Sequence, residues 1–511
     1  MRSRFFVCVP FLVGGCGGAP APASPPVTHR GGGFVTVAQR TTHATPSRTE
    51  APAVARSAHP EFPREYAITR GFKLGSPQMM TPTADGKAVI FLRAGAHDPR
   101  QSLFETDVAS GQTRELLGPD AIGKGPEVLT QAERARRERL RISTSGFTSF
   151  EMSADGSRIV VTLSGRLFLL TRGPKAEPVR ELPIGPGAVS DPHLSADGKR
   201  LAYARGNDLY SLTIDGGHEA PVTRGGTDTK THGTAEFIAQ EELGRGRGFW
   251  WSPDGKDLLY EEADTSKVEE LKISDPAQPE KEPERSAYPR AGKTNAVVKL
   301  GIVNALGGAT RWVKWDNAAF PYVASVRWEK GAPPTIYVLD RLQKHGLLLK
   351  IDPRDGAVTT LLEERDEAWL NVDESVPRWL PDGSAFLWSS ERSGGWELEL
   401  HDASGKLSKA IAGKSVGYRE LLSVDAARKI AYVTASPEPT NAAVFSVPFE
   451  SGEPNVVAYV DGGGVIGAHF GHSETIFAAM EGARDGLRLF SVRSVDGKRH
   501  VELPSVAQPP P

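Results

Sequence analysis

The stretch SADGSRIVVTL, residues 153–163, decides the fold expected for this chain, because its unit of a tight turn followed by an apolar strand recurs along the sequence. Four close copies contain the Asp-Gly pairs that begin at Asp85, Asp197, Asp254 and Asp382. An Asp-Gly pair accepts the positive φ of a hairpin turn, and the β-branched or aromatic residues that follow favour a strand. The repeat therefore predicts strands joined by hairpins along most of the chain.

Three weaker copies of the unit begin near Trp328, Ser423 and His469, which brings the number to eight. A second alternating strand usually follows, and four short strands in about 40–50 residues is the size of a propeller blade. We therefore predict an all-β protein, an eight-bladed β-propeller over residues 61–504 with short helical insertions. A β-sandwich or several small β domains is the alternative, but it leaves the recurrence of one unit unexplained.

Two segments depart from the strand pattern. Residues 129–150 place charged side chains at helical spacing, which predicts a short solvated helix ending before Gly146. A second short helix is predicted over residues 234–243, with Thr234 as its N-cap and Gly244 at its end. We expect both helices to be insertions between blades.

The N-terminus has the pattern of an export signal. Residues 1–16 begin with Arg2 and Arg4, continue with a short apolar run, and end in Val-Gly-Gly-Cys. This order is typical of a secretory signal, and its end is similar to a bacterial lipobox, with Cys16 as the lipidation site. The alternative is a plain signal peptide with an incidental cysteine. We predict export and lipid anchoring to a bacterial membrane, on the periplasmic or outer-membrane face.

The composition of the remaining segments limits the partners and cofactors. Residues 17–60 are rich in Ala, Pro, Gly, Ser and Thr, which predicts a flexible tether, and residues 505–511 are predicted to be a truncated linker. The formal net charge of −2 argues against a nucleic-acid partner. The twelve histidines have no metal-ligand spacing, and the Gly-x-Gly-x-x-Gly match that begins at Gly462 is followed by alternating strand residues where a dinucleotide site needs a helix. We therefore expect neither a metal nor another cofactor.

The adjacent Glu241 and Glu242 are the first candidate binding residues. Since Glu-Glu also occurs at residues 261–262, 269–270 and 363–364, composition alone favours solvated surface charge. If the two carboxylates do converge, their repulsion is relieved by a bound cation. A primary ammonium, with its three donors, suits such a pair.

Longer motifs around this pair carry a resemblance. The segments TAEFIAQEELGRGRGFWWSPDG from Thr234 and YPRAGKTNAVVKLGIVN from Tyr288 resemble the N-terminal propeller of the dipeptidyl peptidase IV family of serine peptidases, bacterial type. The resemblance implies that Glu241 and Glu242 bind the free N-terminal amine of a peptide. It further implies that an arginine of the helix near residues 134–141 binds a backbone carbonyl of that peptide, with Arg141 as first choice and Arg137 as second.

The same resemblance bears on catalysis. Members of the family cleave peptides with a Ser-His-Asp triad on an α/β-hydrolase domain that follows the propeller. The one formal Gly-x-Ser-x-Gly match, at residues 413–417, lacks the flanking strand and helix of a nucleophile elbow. Only PSVAQPPP follows Leu503, so we expect no catalytic residue in this chain.

Three hypotheses for the function follow from this expectation. The chain is the substrate-gating part of a dipeptidyl aminopeptidase that is completed by a separate α/β-hydrolase subunit. Alternatively, it is a stand-alone peptide-binding or scaffold propeller, or a truncated gene product. In the first two hypotheses the expected partners are peptides with a free N-terminus, and contact with the membrane is through the lipid anchor alone.

Overall fold

A computed structural model describes residues 59–123, 125, 127–173, 176–484 and 486–511 of the chain. The predicted signal peptide, the lipidation site Cys16 and residues 17–58 of the predicted tether lie outside these ranges. No helix within the described ranges is both long and apolar enough to cross a membrane.

Eight blade sheets follow one another along the described chain, as predicted: six have four successive antiparallel strands, and those of blades 1 and 4 have a fifth short strand, β5 (Ser145–Gly146) or β15 (Phe249–Trp251). The strands of blades 1 to 4 are β1 (Gln78–Pro82), β2 (Ala88–Arg93), β3 (Arg100–Asp107) and β4 (Thr113–Leu117); β6 (Phe150–Met152), β7 (Arg158–Leu163), β8 (Arg166–Thr171) and β9 (Arg180–Glu181); β10 (Val189–Leu194), β11 (Arg200–Arg205), β12 (Asp208–Thr213) and β13 (His218–Pro221); and β14 (Lys230–His232) with β15 (Phe249–Trp251), β16 (Asp257–Asp264), β19 (Val297–Asn304) and β20 (Arg311–Trp312).

The second half of the ring has the same organisation. The strands of blades 5 to 8 are β21 (Tyr322–Arg327), β22 (Thr335–Leu339), β23 (His345–Ile351) and β24 (Val358–Arg365); β25 (Arg378–Trp379), β26 (Ala385–Ser390), β27 (Glu397–Asp402) and β28 (Leu407–Ala412); β29 (Tyr418–Asp425), β30 (Ile430–Ala435), β31 (Ala443–Pro448) and β32 (Asn455–Ala458); and β33 (Gly464–His469), β34 (Ile476–Ala483), β35 (Arg488–Ser494) and β36 (His500–Glu502).

A few short elements lie outside the four successive strands of the blades. They are helix α1 (Phe62–Ile68), a 3-10 turn (Pro119–Ala121), helix α2 (Gln131–Arg139), strand β5 (Ser145–Gly146), helix α3 (Phe237–Glu241) and the two-stranded hairpin β17 (Glu270–Ile273) and β18 (Glu284–Ala287).

Each of the eight repeats forms the turn between the first and second strands of a blade. In the turn at residues 153–158, the Ser153 hydroxyl donates to an Asp155 carboxylate oxygen (2.6 Å) and accepts from the Arg158 amide (3.0 Å), while Gly156 takes a φ of +70°. Thr83, Ser195 and Ser252 bond the turn aspartate of their copies in the same way. The repeated sequence therefore encodes one turn geometry.

The apolar core lies between neighbouring blades. Strand β2 is buried over five of its six residues, and Phe91 packs in one cluster with Ile476 and Val492 of blade 8. This cluster closes the ring, because it joins the first blade to the last. The segment after β36 continues along blade 1, where the Val506 amide donates to the Gly75 carbonyl (3.0 Å).

Except for α3, the insertions between β4 and β20 lie on one face of the propeller. In each blade, one face holds the turns between strands 1 and 2 and between strands 3 and 4. The opposite face holds the turns between strands 2 and 3 and the crossovers to the next blade, and we call this opposite face the crossover face. Helix α2 lies in the crossover from blade 1 to blade 2, as predicted. Helix α3 lies between β14 and β15, which both pair with β16, so the expectation that it separates two blades is wrong.

Candidate functional site

Helix α3, which carries the glutamate pair, is capped by an acidic side chain. Glu236 is its N-cap: one carboxylate oxygen accepts from the Ile238 amide (2.8 Å) and the other from the Ala239 amide (2.6 Å). The prediction of Thr234 as the N-cap is wrong, because its backbone forms a β-bridge with Arg247. The helix therefore starts after this bridge, and a longer acidic side chain satisfies two of its free amides.

A buried ion pair fixes the chain that follows α3. Arg245 is 1% exposed and Glu261 is fully buried, and the Arg245 Nη2 donates to a Glu261 carboxylate oxygen at 2.6 Å. Arg245 also donates to the carbonyls of Val323 (2.8 Å) and Arg247 (2.8 Å). The other Glu261 oxygen accepts from the Glu236 amide (2.7 Å), so both ends of α3 are held on β16.

The N-cap carboxyl has an unusual acidity. Burial is the main cause that raises the pKa of Glu236 to about 7, and the nearby charge of Glu261 adds to it, although the two backbone amides act in the opposite direction. Glu236 thus exchanges a proton near neutral pH at the start of the helix that presents the glutamate pair.

The predicted binding residues Glu241 and Glu242 lie together at the end of α3. Glu241 is the last helical residue and half-buried, and Glu242 is the C-cap and exposed. Within the described ranges, neither carboxylate has a salt bridge of 4 Å or less. A helix C-terminus carries partial negative charge, and this one has no basic residue in its last turn. The pair is therefore a strongly electronegative spot.

The two arginines selected from the sequence have different surroundings. Arg137 is buried, and its guanidinium donates to Glu127 (2.6 and 3.1 Å) and Glu133 (2.8 Å). Arg141 follows the end of α2, where its backbone takes a φ of +54° and its side chain is exposed. The guanidinium of Arg137 is therefore already hydrogen-bonded to acids of the α2 segment.

A third arginine, which the sequence analysis missed, acts on the glutamate pair. Arg139 is half-buried with its guanidinium 5.3 Å from the ring centre of Phe237, the first residue of α3. Burial lowers the pKa of Arg139, and Glu241 is the largest influence that opposes this shift. The Phe237 ring in turn meets Tyr288 edge to face at 4.9 Å. Arg139 thus joins α2 to the glutamate helix.

A second charged cluster lies on the inner strands of blades 2 to 4. The two ring nitrogens of His193 bond the carboxylates of Asp191 (3.0 Å) and Glu151 (3.2 Å), with Arg247 nearby. Burial would raise the pKa of Asp191, but the charge and hydrogen bond of His193 hold it at about 2. Because each ring nitrogen faces a carboxylate acceptor, these contacts favour the protonated, positively charged form of His193. No motif marked these residues in the sequence.

Two glycine-containing sequence motifs lie in turns of the propeller. The Gly-x-Ser-x-Gly match at residues 413–417 is the turn between β28 and β29, and Ser415 is exposed there. The glycine run at residues 462–464 leads into β33, and no helix follows it. Among the described residues, no group of three or more His, Cys, Asp or Glu side chains could hold a metal ion.

Comparisons with known proteins agree with this architecture. The family described as "Dipeptidyl peptidase IV (DPP IV) N-terminal region" matches residues 147–478. Dipeptidyl peptidase 8 of Mus musculus is 25% identical over 353 residues, which cover 57% of this chain and 39% of that protein. Inactive dipeptidyl peptidase 10 of Mus musculus is 25% identical over 213 residues, 40% of this chain and 26% of that protein. The chain thus spans about two fifths or less of the length of these relatives.

A solved structure has the same fold. The crystal structure of Porphyromonas gingivalis dipeptidyl peptidase 4 matches with a TM-score of 0.68 and 19% sequence identity, over 87% of this chain and 61% of that one. At this identity the match shows the propeller fold alone. Together with the family match, it confirms the resemblance on which the sequence analysis relied.

Proposed function

The chain belongs to the dipeptidyl peptidase IV N-terminal region family, and from this premise we propose that its propeller recognises peptides by their free N-terminus. In this proposal Glu241 and Glu242 bind the peptide α-ammonium. An arginine of the α2 segment binds a backbone carbonyl of the same peptide.

One observation carries the proposal: two adjacent carboxylates end α3 without a salt bridge of 4 Å or less among the described residues. The other Glu-Glu pairs of the chain differ in this respect, since Glu269 and Glu270 bond Arg290 and Arg285. A primary ammonium supplies three donors, and each charge-assisted bond contributes about 1.5–3 kcal/mol. An incoming amine would therefore supply the direct ion pair that these carboxylates lack among the described residues.

The arginine that binds the carbonyl is chosen by its surroundings. Arg137 already donates to two carboxylates, and Arg141 is exposed beyond the helix end. Among the nearby carboxylates, Glu241 has the largest electrostatic influence on the pKa of Arg139. We therefore add Arg139 to the two arginines selected from the sequence, and rank it ahead of Arg137.

Calorimetry with one short peptide in two forms, with a free and with an acetylated N-terminus, tests the proposal. We expect the free form to bind at least about tenfold more tightly, the worth of one charge-assisted bond. Glu241→Gln and Glu242→Gln should each abolish this preference, whereas Glu269→Gln, a control in the other acidic pair, should retain it. Equal affinity of the parent chain for both forms would refute the proposal.

The arginine assignment has its own measurement. Arg139→Gln, Arg141→Gln and Arg137→Gln are compared by their affinity for the free peptide and for an analogue whose first carbonyl is reduced to a methylene. The arginine that binds the carbonyl is the one whose loss makes the two ligands equal. If all three variants still prefer the carbonyl form, this part of the proposal is wrong.

The binding role is compatible with two arrangements. In one, the propeller gates substrates for an α/β-hydrolase partner, which a Gly-Pro chromogenic substrate detects when the chain is assayed with and without a candidate hydrolase. In the other, it binds peptides without catalysis, and the similarity to a relative described as inactive favours this arrangement. We also propose lipid attachment at Cys16 after export, which mass spectrometry of the mature N-terminus would test.

A further inference from the structure

A small cavity of about 30 Å³ opens on the crossover face between blades 5 and 6. Its wall comes from the end of β24, from the crossover to β25 and from the turn between β26 and β27. Neither the segment that contains Glu241 and Glu242 nor the segment from Tyr288 contributes to it. The cavity therefore needs its own explanation.

Aromatic side chains form much of the cavity surface. Tyr337 and Trp388 are buried and meet edge to face at 5.0 Å, and Trp396 is half-buried beside them. Trp369 lies at the mouth with 65% of its surface exposed, although tryptophan is usually well covered. An exposed indole face at the mouth of a cavity suits a flat or cationic ligand group.

The mouth is held in shape by a short hydrogen-bond chain. The Trp369 indole donates to the Asn371 side-chain oxygen (3.2 Å), and the Asn371 amide donates to a Glu391 carboxylate oxygen (2.7 Å). The indole and the carboxylate are therefore fixed side by side before any ligand arrives, which lowers the entropic cost of binding.

Carboxylates outnumber basic groups in the cavity wall. Glu364, Asp366, Asp373 and Glu391 line it, against two arginines, Arg365 and Arg392.

The deepest of these acids lacks a close cation. Glu364 is 4% exposed and accepts hydrogen bonds from the Trp388 indole (2.8 Å) and the Ser390 hydroxyl (3.2 Å). Its nearest salt-bridge partner, Arg392, is 3.8 Å away and donates instead to Glu399 at 2.5 Å. Burial raises the pKa of Glu364, in keeping with a carboxyl whose negative charge is incompletely compensated.

We propose that this cavity binds the guanidinium or ammonium group of a basic side chain. The cation would stack on Trp369 and bond Glu391, with the negative charge of Glu364 beneath it. A neutral sugar, the other ligand that aromatic clefts commonly accept, would gain nothing from the excess of carboxylates. The proposal is independent of the glutamate pair on α3.

Blocked amino acids separate this site from the proposed N-terminus site. The probe is N-acetyl-arginine amide, which has no free amine, and its neutral isostere is N-acetyl-citrulline amide. Binding to the full chain is followed by quenching of tryptophan fluorescence. We expect the arginine probe to bind about tenfold or more tightly than the citrulline probe, and methyl glucoside to leave the fluorescence unchanged.

Matched variants locate the site. Trp369→Ala and Glu391→Gln should each weaken binding of the arginine probe about tenfold. Trp369→Phe, which keeps an aromatic face, should restore most of it. Glu438→Gln is the control, because Glu438 follows the second strand of blade 7 as Glu391 does in blade 6, and it accepts from Asn441 (2.8 Å) as Glu391 does from Asn371.

Three results would overturn the proposal. They are equal affinity for the arginine and citrulline probes, binding of the glucoside in place of the cation, and parental affinity in both Trp369→Ala and Glu391→Gln. Because every probe lacks a free N-terminus, none of these results bears on the role of the glutamate pair.

Discussion

The ion pair between Arg245 and Glu261 gives the sharpest prediction about stability. Arg245→Met removes the guanidinium but keeps an unbranched side chain of comparable length. The substitution leaves the Glu261 carboxylate fully buried, with the Glu236 amide as its remaining hydrogen-bond donor in the described residues. It also deprives the carbonyls of Val323 and Arg247 of donors at 2.8 Å.

The expected cost follows from this geometry. The atoms are 2.6 Å apart, so the charge centres are separated by about 4 Å, where two unit charges attract by about 4 kcal/mol at an effective dielectric constant of about 20. Removing one partner of a buried pair typically costs about 3–5 kcal/mol, because the other charge stays buried. We therefore expect Arg245→Met to lower the free energy of unfolding by about 3–5 kcal/mol.

Denaturant unfolding of a double-mutant cycle measures this cost. The cycle combines Arg245→Met with Glu261→Gln, which keeps an acceptor for the Glu236 amide. The double variant should be more stable than Arg245→Met alone, because no unpaired charge remains in it.

The result that would refute the reasoning is specific. If Arg245→Met costs less than about 1 kcal/mol and the double variant is no more stable than Arg245→Met, Glu261 is not a buried charge held by this arginine. If the prediction holds, the variant should also weaken the proposed preference for a free peptide N-terminus, because the ion pair holds the chain that follows α3 on β16.

Three further predictions concern acidity, packing and the repeated turn. Because the pKa of Glu236 is raised from its ordinary 4.5 to about 7, ionisation of Glu236 opposes folding. The stability of the protein should therefore fall as the pH rises from about 4.5 to about 7 and stay level above about pH 7. Glu236→Gln should flatten this profile, which is measured as the denaturant midpoint at each pH. Phe91→Ala, at a fully buried position of the ring-closing cluster, should cost about 3–5 kcal/mol in equilibrium unfolding, and a loss below about 1 kcal/mol would contradict that packing. Alanine at Ser153, Ser195 or Ser252 should cost about 1 kcal/mol each by the same measurement, and unequal losses would show that the turns are not equivalent.

The blades were predictable because their signal is local. A hydroxyl, an aspartate and a glycine within five residues specify each well-marked turn, and the strand follows directly. The weaker copies were also found, although their chemistry differs: the turn after Ser423 takes its positive φ at Lys429 (+55°) instead of at a glycine. The periodic spacing compensated for the missing residue types.

The site was less predictable because its contacts are distant in sequence. The bridge between Thr234 and Arg247 displaces the start of α3, and no local pattern reveals it. Arg245 belongs to a Gly-Arg run, a pattern typical of an exposed, flexible segment. In the structure its guanidinium instead bonds Glu261 and the Val323 carbonyl. Arg139 was missed because the sequence does not fix where α2 ends, and this end determines which arginine reaches α3.

The location of α2, the β17–β18 hairpin and the cavity beside Trp369 on one face has a structural cause. Turns between strands 1 and 2 are short and fixed by their own hydrogen bonds, so a longer loop there would break the geometry that starts the second strand. The crossovers and the turns between strands 2 and 3 carry no such constraint, and they hold α2 and the β17–β18 hairpin. The cavity beside Trp369 also lies on the crossover face. Helix α3 is inserted near the end of β16 that reaches the same face. Binding can therefore diversify on the crossover face while the turns of the opposite face keep the eight sheets in register.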